Sequence, residues 1–182
     1  MDSKVSMDKQ KTEKQKERFY INETEIRFER RRISEAYSFL LPTSFTVIPK
    51  EYEAVKYPSS YRPEIILTTP DLEVNLGFTI FTNSQLEDLR VIVEQTREVI
   101  ENTEKSGAVL VSNTMPLESI EGYWFDFRTK TMDSEIYNMH LLAKIGKTVL
   151  QSSFNCQFRD FEEWKPFVLQ MWESMQQESD KR

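Results

Sequence analysis

Apolar and polar residues alternate with a period of two over 122–158, and this pattern predicts three consecutive antiparallel strands. Tyr123, Phe125 and Phe127 alternate with Trp124, Asp126 and Arg128. In the next run Tyr137, Met139, Leu141, Ala143 and Ile145 fall on one side, with Asn138, His140 and Lys144 on the other. Gly146-Lys147 has the length of a hairpin reversal, and Gly supplies the positive φ that such a turn demands. The returning strand sets Leu150, Phe154, Cys156 and Phe158 against Gln151, Ser153, Asn155 and Gln157. A slip of one residue would turn every apolar group to the polar side, so the pairing is expected to be well specified.

Around this meander the periodicity changes several times. Residues 1–18 are dense in Lys, Glu, Gln and Asp and carry too little apolar surface to offset ordering entropy. They read as a disordered or frayed-helix tail ahead of a single domain over 19–182. Phe19, Ile21, Ile26 and Phe28 predict a strand or strand pair reversing near Asn22-Glu23. The segment 36–48, AYSFLLPTSFTVI, reads as a strand, a break at Pro42 and a second apolar stretch. Residues 50–63 carry prolines and Tyr52, Tyr57 and Tyr61, and predict a surface loop with a helical turn before Pro58. Strands follow at Ile65 to Thr68 and around Val74, Leu76, Phe78 and Ile80.

The period then becomes helical. Ser84-Gln85-Leu86-Glu87 is a capping-box sequence, and Leu86, Leu89, Val93, Thr96 and Ile100 share one face beyond it. A strand is expected at Ala108 to Ser112. Asp160-Phe161-Glu162-Glu163 repeats the cap pattern before a second stripe of Phe161, Trp164, Val168, Met171, Trp172 and Met175, with a slight bend at Pro166. The fold class is therefore α+β, an antiparallel sheet flanked by helices.

Composition narrows the function classes. An apolar content of 38% with 12% aromatics suffices for a packed core in 182 residues. The net charge of −6 argues against a nucleic-acid binder and against general attraction to anionic lipid. No apolar run approaches the ~20 residues of a membrane span, and no signal-peptide pattern stands at the start, so a cytoplasmic location is expected. With one cysteine, Cys156, and one histidine, an intrachain disulfide and a multi-Cys or His-rich metal site are excluded. The four glycines are scattered singly, so no phosphate-cradling loop exists. No cofactor and no metal are expected.

Three stretches carry a family resemblance: YSFLLPTSF at Tyr37 to Phe45, the segment Gly146 to Phe154, and Asp160 to Trp172. In this order of elements the chain resembles the PsbP-like superfamily of α/β/α sandwiches, in its uncharacterised bacterial branch. The likeness spans most of 20–176 and rests on core and turn positions. Phe45 stands where such proteins often have Trp. The resemblance implies an α/β/α sandwich and a non-catalytic role, with no catalytic residue to carry over.

One constellation has chemical content. Trp124, Asp126 and Arg128 alternate on the polar face of one meander strand, and Asn138 and His140 occupy the polar face of the next. Same-face neighbours on antiparallel strands lie ~5 Å apart, which brings Asp126 or Arg128 within reach of His140. An Asp–His pair is a general-base candidate. The same residues equally serve as cross-strand partners on a half-solvated sheet, or as polar groups satisfied beneath the second helix layer. Tyr52, Tyr57 and Tyr61 either line a binding surface or close the end of the core. Arg30, Arg31 and Arg32 either contact a phosphate or acidic partner or pair with nearby glutamates.

The expected function is a non-catalytic interaction or accessory module. It would present Trp124, Asp126, Arg128, Asn138 and His140, with Tyr57 and Tyr61, to another protein. The alternative is a small-ligand-binding protein or minor hydrolase using Asp126 and His140.

Overall fold

In a computed structural model, residues 19–21, 23–82, 88–103 and 108–178 are described. The tail expected at 1–18 and the capping box at Ser84 to Glu87 lie outside them. In chain order the elements begin with a hairpin of β1 (Phe19–Ile21) and β2 (Thr24–Ile26), then β3 (Phe28–Arg32) and β4 (Tyr37–Pro42). There follow β5 (Thr46–Val47), α1 (Lys50–Lys56), β6 (Ile65–Thr68), β7 (Asn75–Thr82) and α2 (Leu89–Thr103). Short β8 (Val109–Leu110) and β9 (Met115–Pro116) precede the meander of β10 (Glu121–Lys130), β11 (Glu135–Ile145) and β12 (Thr148–Gln157). A 3₁₀ turn over Phe158–Asp160 leads into α3 (Phe161–Glu173), and β13 (Gln176–Gln177) ends the described chain.

The meander is the middle of an eight-stranded sheet ordered β5-β6-β7-β12-β11-β10-β8, with β9 also paired to β10. Its pairings are all antiparallel. Gly146 takes the predicted left-handed conformation, with φ of 58°, between β11 and β12. A second sheet, β13-β4-β3, stacks with α3 on one face of the large sheet, while α2 covers the other. This is the α/β/α-type layering that two amphipathic helices and one apolar-faced sheet dictate.

Most of the apolar core lies on the α3 side. Trp164, Val168, Met171 and Trp172 of α3 meet Met139, Leu141, Leu150 and Phe154 of the sheet and Phe39 and Leu41 of β4. Phe45 packs against Trp164 with ring centroids 5.7 Å apart, so it fills the expected aromatic position. Ser152, buried among these groups, donates to the Gly77 carbonyl (2.9 Å) and accepts from Trp172 Nε1 (3.0 Å). Cys156 is buried here as a packing residue, its thiol pushed up to about 12 by burial and by Asp160.

Four expectations need correction or refinement. The polar side of β10 is not half-solvated: Trp124 and Asp126 are buried and Arg128 is half-buried, because α3 covers that face and satisfies Asp126 there. Residues 50–56 form the full helix α1 rather than a single turn. Asp160 makes no side-chain cap bond, because the preceding 3₁₀ turn holds it at φ −104°, ψ 2° instead of the extended cap geometry. The basic run at 30–32 is spent within the fold. Arg30 donates to Ser38 Oγ and the Ser174 carbonyl, Arg31 to the Phe45 carbonyl, and Arg32 pairs with Glu178.

Candidate functional site

Register decides what the site contains. The loop over 131–134 closes β10 onto β11 with Lys130 opposite Glu135, braced by Thr131 N–H donating to the Ser134 carbonyl (2.8 Å). That closure places Asp126 opposite Met139 and Phe125 opposite His140. Directly opposed residues share a face. Asp126 therefore lies on the α3 face and His140 on the α2 face, and the two never meet. Trp124 and Arg128 go with Asp126, and Asn138 goes with His140. The five residues expected on one surface are split by the sheet itself.

On the α3 face Asp126 is fully buried, and its carboxylate is occupied. Tyr137 Oη (2.5 Å) and Lys165 Nζ (2.6 Å) donate to Oδ2, and Ser112 Oγ (2.5 Å) donates to Oδ1. Lys165 also stands 5.1 Å from the centre of the Trp124 ring. Burial and the neighbouring carboxylate push the Tyr137 phenol far up. Arg128 lies over the Phe158 ring and pairs with Glu135 at 3.6 Å. This is a satisfied buried network of the kind that fixes packing.

The α2 face is different. Val93, Phe125 and Phe127 form a small separate apolar cluster. Beside it a cavity of about 410 Å³ lies between α2 and strands β7, β10, β11 and β12. Its walls include Leu89, Ile92 and Val93 from the helix and Phe125, Leu142 and Val149 from the sheet. Phe81, 43% exposed, stands at the rim. The polar side chains in the lining are Thr96, His140 and Gln151.

His140 is the unusual member. Its ring is wedged between Phe125 and Phe127, with centroids 5.6 and 5.3 Å away. Nδ1 is buried with no hydrogen-bond partner among the described residues. Burial pushes the imidazole down to about 4, so it is neutral near pH 7. Across the same face of the sheet, Ser153 stands directly between His140 and Gly77. A Cβ at Gly77 would come within 2.5 Å of Pro63 Cγ and 2.7 Å of Ser153 Oγ. Only glycine lets the chain after α1 close this face.

The remaining candidates do not converge on the cavity. Asn138 Nδ2 donates to Thr129 Oγ1 (3.2 Å). Tyr57 accepts from Asn155 Nδ2 (3.0 Å), and burial raises its phenol. It closes the end of the sheet, while Tyr61 is 96% exposed and Tyr52 46% exposed. Among the described residues no group of His, Cys, Asp and Glu is placed to hold a metal ion, and no helix is long and apolar enough to cross a membrane. Of the cavity lining, the sequence pattern singled out His140 by its chemistry; Leu89, Val93 and Thr96 stood out only as a helix stripe. The length of the loop after Lys130 is the signal that could have assigned His140 to the α2 face.

The architecture is shared with solved structures. The chain has the PsbP-like fold, mixed α+β with a large antiparallel sheet. The cyanobacterial PsbP (CyanoP) of Synechocystis superposes with a TM-score of 0.61 at 10% identity, over 82% of this chain and 92% of that one. LpqN of Mycobacterium tuberculosis, involved in cell envelope biogenesis, gives 0.56 at 11% identity, over 87% and 94%. The Ran-binding protein Mog1p of Saccharomyces cerevisiae gives 0.56 at 7% identity, over 85% and 97%. No family model matches the chain, and no curated protein is recognisably similar to it in sequence. At these identities the likeness is one of fold.

Proposed function

We propose that this chain is a binding protein without chemistry of its own, and that its site is the cavity beneath α2. The observation that carries this reading is a neutral His140 in the wall of a mostly apolar space of about 410 Å³. Small-molecule pockets combine these features: apolar walls, a volume of ~300–1,000 Å³ and few polar groups that orient the occupant. The hydrolytic alternative has no support, since the carboxylate it needs is across the sheet and occupied by three donors.

The test is to purify the full chain gently, extract it with solvent and identify by mass spectrometry any molecule carried through. Val93→Trp fills the cavity from the helix side. A molecule retained by the wild type and missing from a folded Val93→Trp variant supports the site. Equal retention by both, or none by either, rejects it.

A second reading, contact with another protein through α1 and the following loop, is favoured by the exposure of Val55 (76%) and Tyr61 (96%). Aromatic side chains are enriched at protein interfaces. Val55→Ser with Tyr61→Ala is expected to reduce recovery of a native partner in affinity capture. Undiminished recovery would count against this surface.

A further inference from the structure

Resting on the cavity reading above, we infer the chemical class of the occupant: an uncharged, mostly hydrocarbon molecule with one oxygen acceptor, held by the Nε2–H of His140. The argument starts from the ring. Nδ1 is enclosed and has no hydrogen-bond partner among the described residues. An orphaned buried N–H is rarer than an unfilled lone pair, so the neutral imidazole keeps its proton on Nε2. Because His140 lines the cavity while Nδ1 is sealed off, Nε2 is the nitrogen left to face the space. It acts there as a donor and calls for an acceptor: a ketone, ester, ether or alcohol oxygen.

The rest of the wall sets the remainder of the molecule. Phe81, Leu89, Ile92, Val93, Phe125 and Leu142 offer no polar side-chain atoms. Among the described residues no lining side chain is an acid, a lysine or an arginine, so a charged ligand would give up its hydration without a counterion. Thr96 already donates its hydroxyl to the Ile92 carbonyl (2.8 Å). Gln151 is left as a secondary polar contact. The volume suits a bicyclic aromatic or a medium-length chain.

The probes that test this are acetylnaphthalene, ethylnaphthalene of the same shape without oxygen, and naphthoate with a charge. Each is titrated into the full chain by calorimetry. The imidazole nitrogen resonances are followed in parallel, and they are unambiguous because the chain has one histidine. The ketone is expected to bind about tenfold more tightly than either of the others, the effect of one hydrogen bond, and to shift Nε2 rather than Nδ1. His140→Phe keeps a ring in place and is expected to bring the ketone down to the hydrocarbon's affinity. Val93→Trp is expected to lose all three probes.

If all three probes bind alike, or if the ketone's advantage survives His140→Phe, the ligand class is overturned while the cavity stands as a site. Stronger binding of naphthoate overturns it in the same way. If no probe binds, or if Val93→Trp binds them unchanged, the cavity reading falls with it. The wild-type resonance shift remains decisive should His140→Phe fail to fold.

Discussion

The two faces of the central sheet are built from the same three strands yet solve opposite problems. On the α3 face, Trp164, Val168, Met171 and Trp172 are buried against a continuous apolar layer. The polar groups named within it, Ser152 and Asp126, have their partners. On the α2 face the buried cluster comprises Val93, Phe125 and Phe127, a cavity persists beside it, and Nδ1 of His140 and Nε of Arg97 are buried without partners among the described residues. Close packing and full hydrogen bonding are where folding free energy comes from; voids and unpaired polar atoms subtract from it. The comparison teaches that the two faces differ in packing: close-packed under α3 and β4, looser under α2, the face on which the proposed binding site lies.

The largest effect that would break this comparison is expected at Trp172. Trp172→Ala removes the biggest fully buried side chain and leaves Ser152 without its donor, and should cost about 3–5 kcal/mol in chemical denaturation. A loss below that of Val93→Ala on the opposite face would overturn the division. Next in size is Lys165→Met, which keeps the stem but withdraws the cation from buried Asp126. With the lysine side chain 26% exposed, a loss of about 2 kcal/mol is expected from the same measurement.

A pH dependence isolates the α2 face. The ordinary imidazole value is 6.5, and His140 in the fold is pushed down to about 4 by burial. Among the described residues the groups facing it are uncharged: Phe125 and Phe127 from β10, Ser153 and Gln151 from β12, and Leu89, Ile92, Val93 and Thr96 from α2. Between these two pH values the unfolded chain takes up a proton that the folded chain refuses. The stability tied to neutral His140 is therefore complete above pH 6.5 and is lost as pH falls towards 4. The fall in Tm from pH 7 to pH 5 should be larger for wild type than for His140→Gln. Equal slopes would mean that the imidazole titrates alike in the folded and the unfolded chain.

The smallest expected change is a gain. Thr96→Val adds apolar surface to the cavity wall and removes a hydroxyl that bonds back to its own helix, and should stabilise the protein by about 0.5–1 kcal/mol. The matching swap on the other face, Ser152→Val, orphans Trp172 Nε1 and the Gly77 carbonyl and should destabilise. If both swaps stabilised the protein, the faces would not differ in packing.

Much of the fold was legible in the amino-acid pattern, because it follows from local rules. The period-two runs at 123–128, 137–145 and 149–157 are strands, the helical stripe from Trp164 to Trp172 is the buried face of α3, and Gly146 turns where a positive φ was required. The site was less legible. His140 was recognisable as chemically distinctive, but pairing it with Asp126 required the polar sides of β10 and β11 to share one face, and the register puts them on opposite faces. Asp126 is buried and polar because Lys165, Tyr137 and Ser112 reach it from α3, from β11 and from the segment after β8. No spacing in the chain announces those three donors.

What the chain order alone determined is which residues alternate and which ride one side of a helix, since backbone geometry fixes those periods at 2.0 and 3.6 residues. Tertiary structure alone decided which side of β10 faces which side of β11, through the closure of 131–134, and which helix covers each face. That choice parted Asp126 from His140 and left the histidine against a cavity rather than a carboxylate. Its physical reason is that each strand's periodicity is local, whereas the phase between neighbouring strands and the layer packed on them arises only when distant segments bury one another.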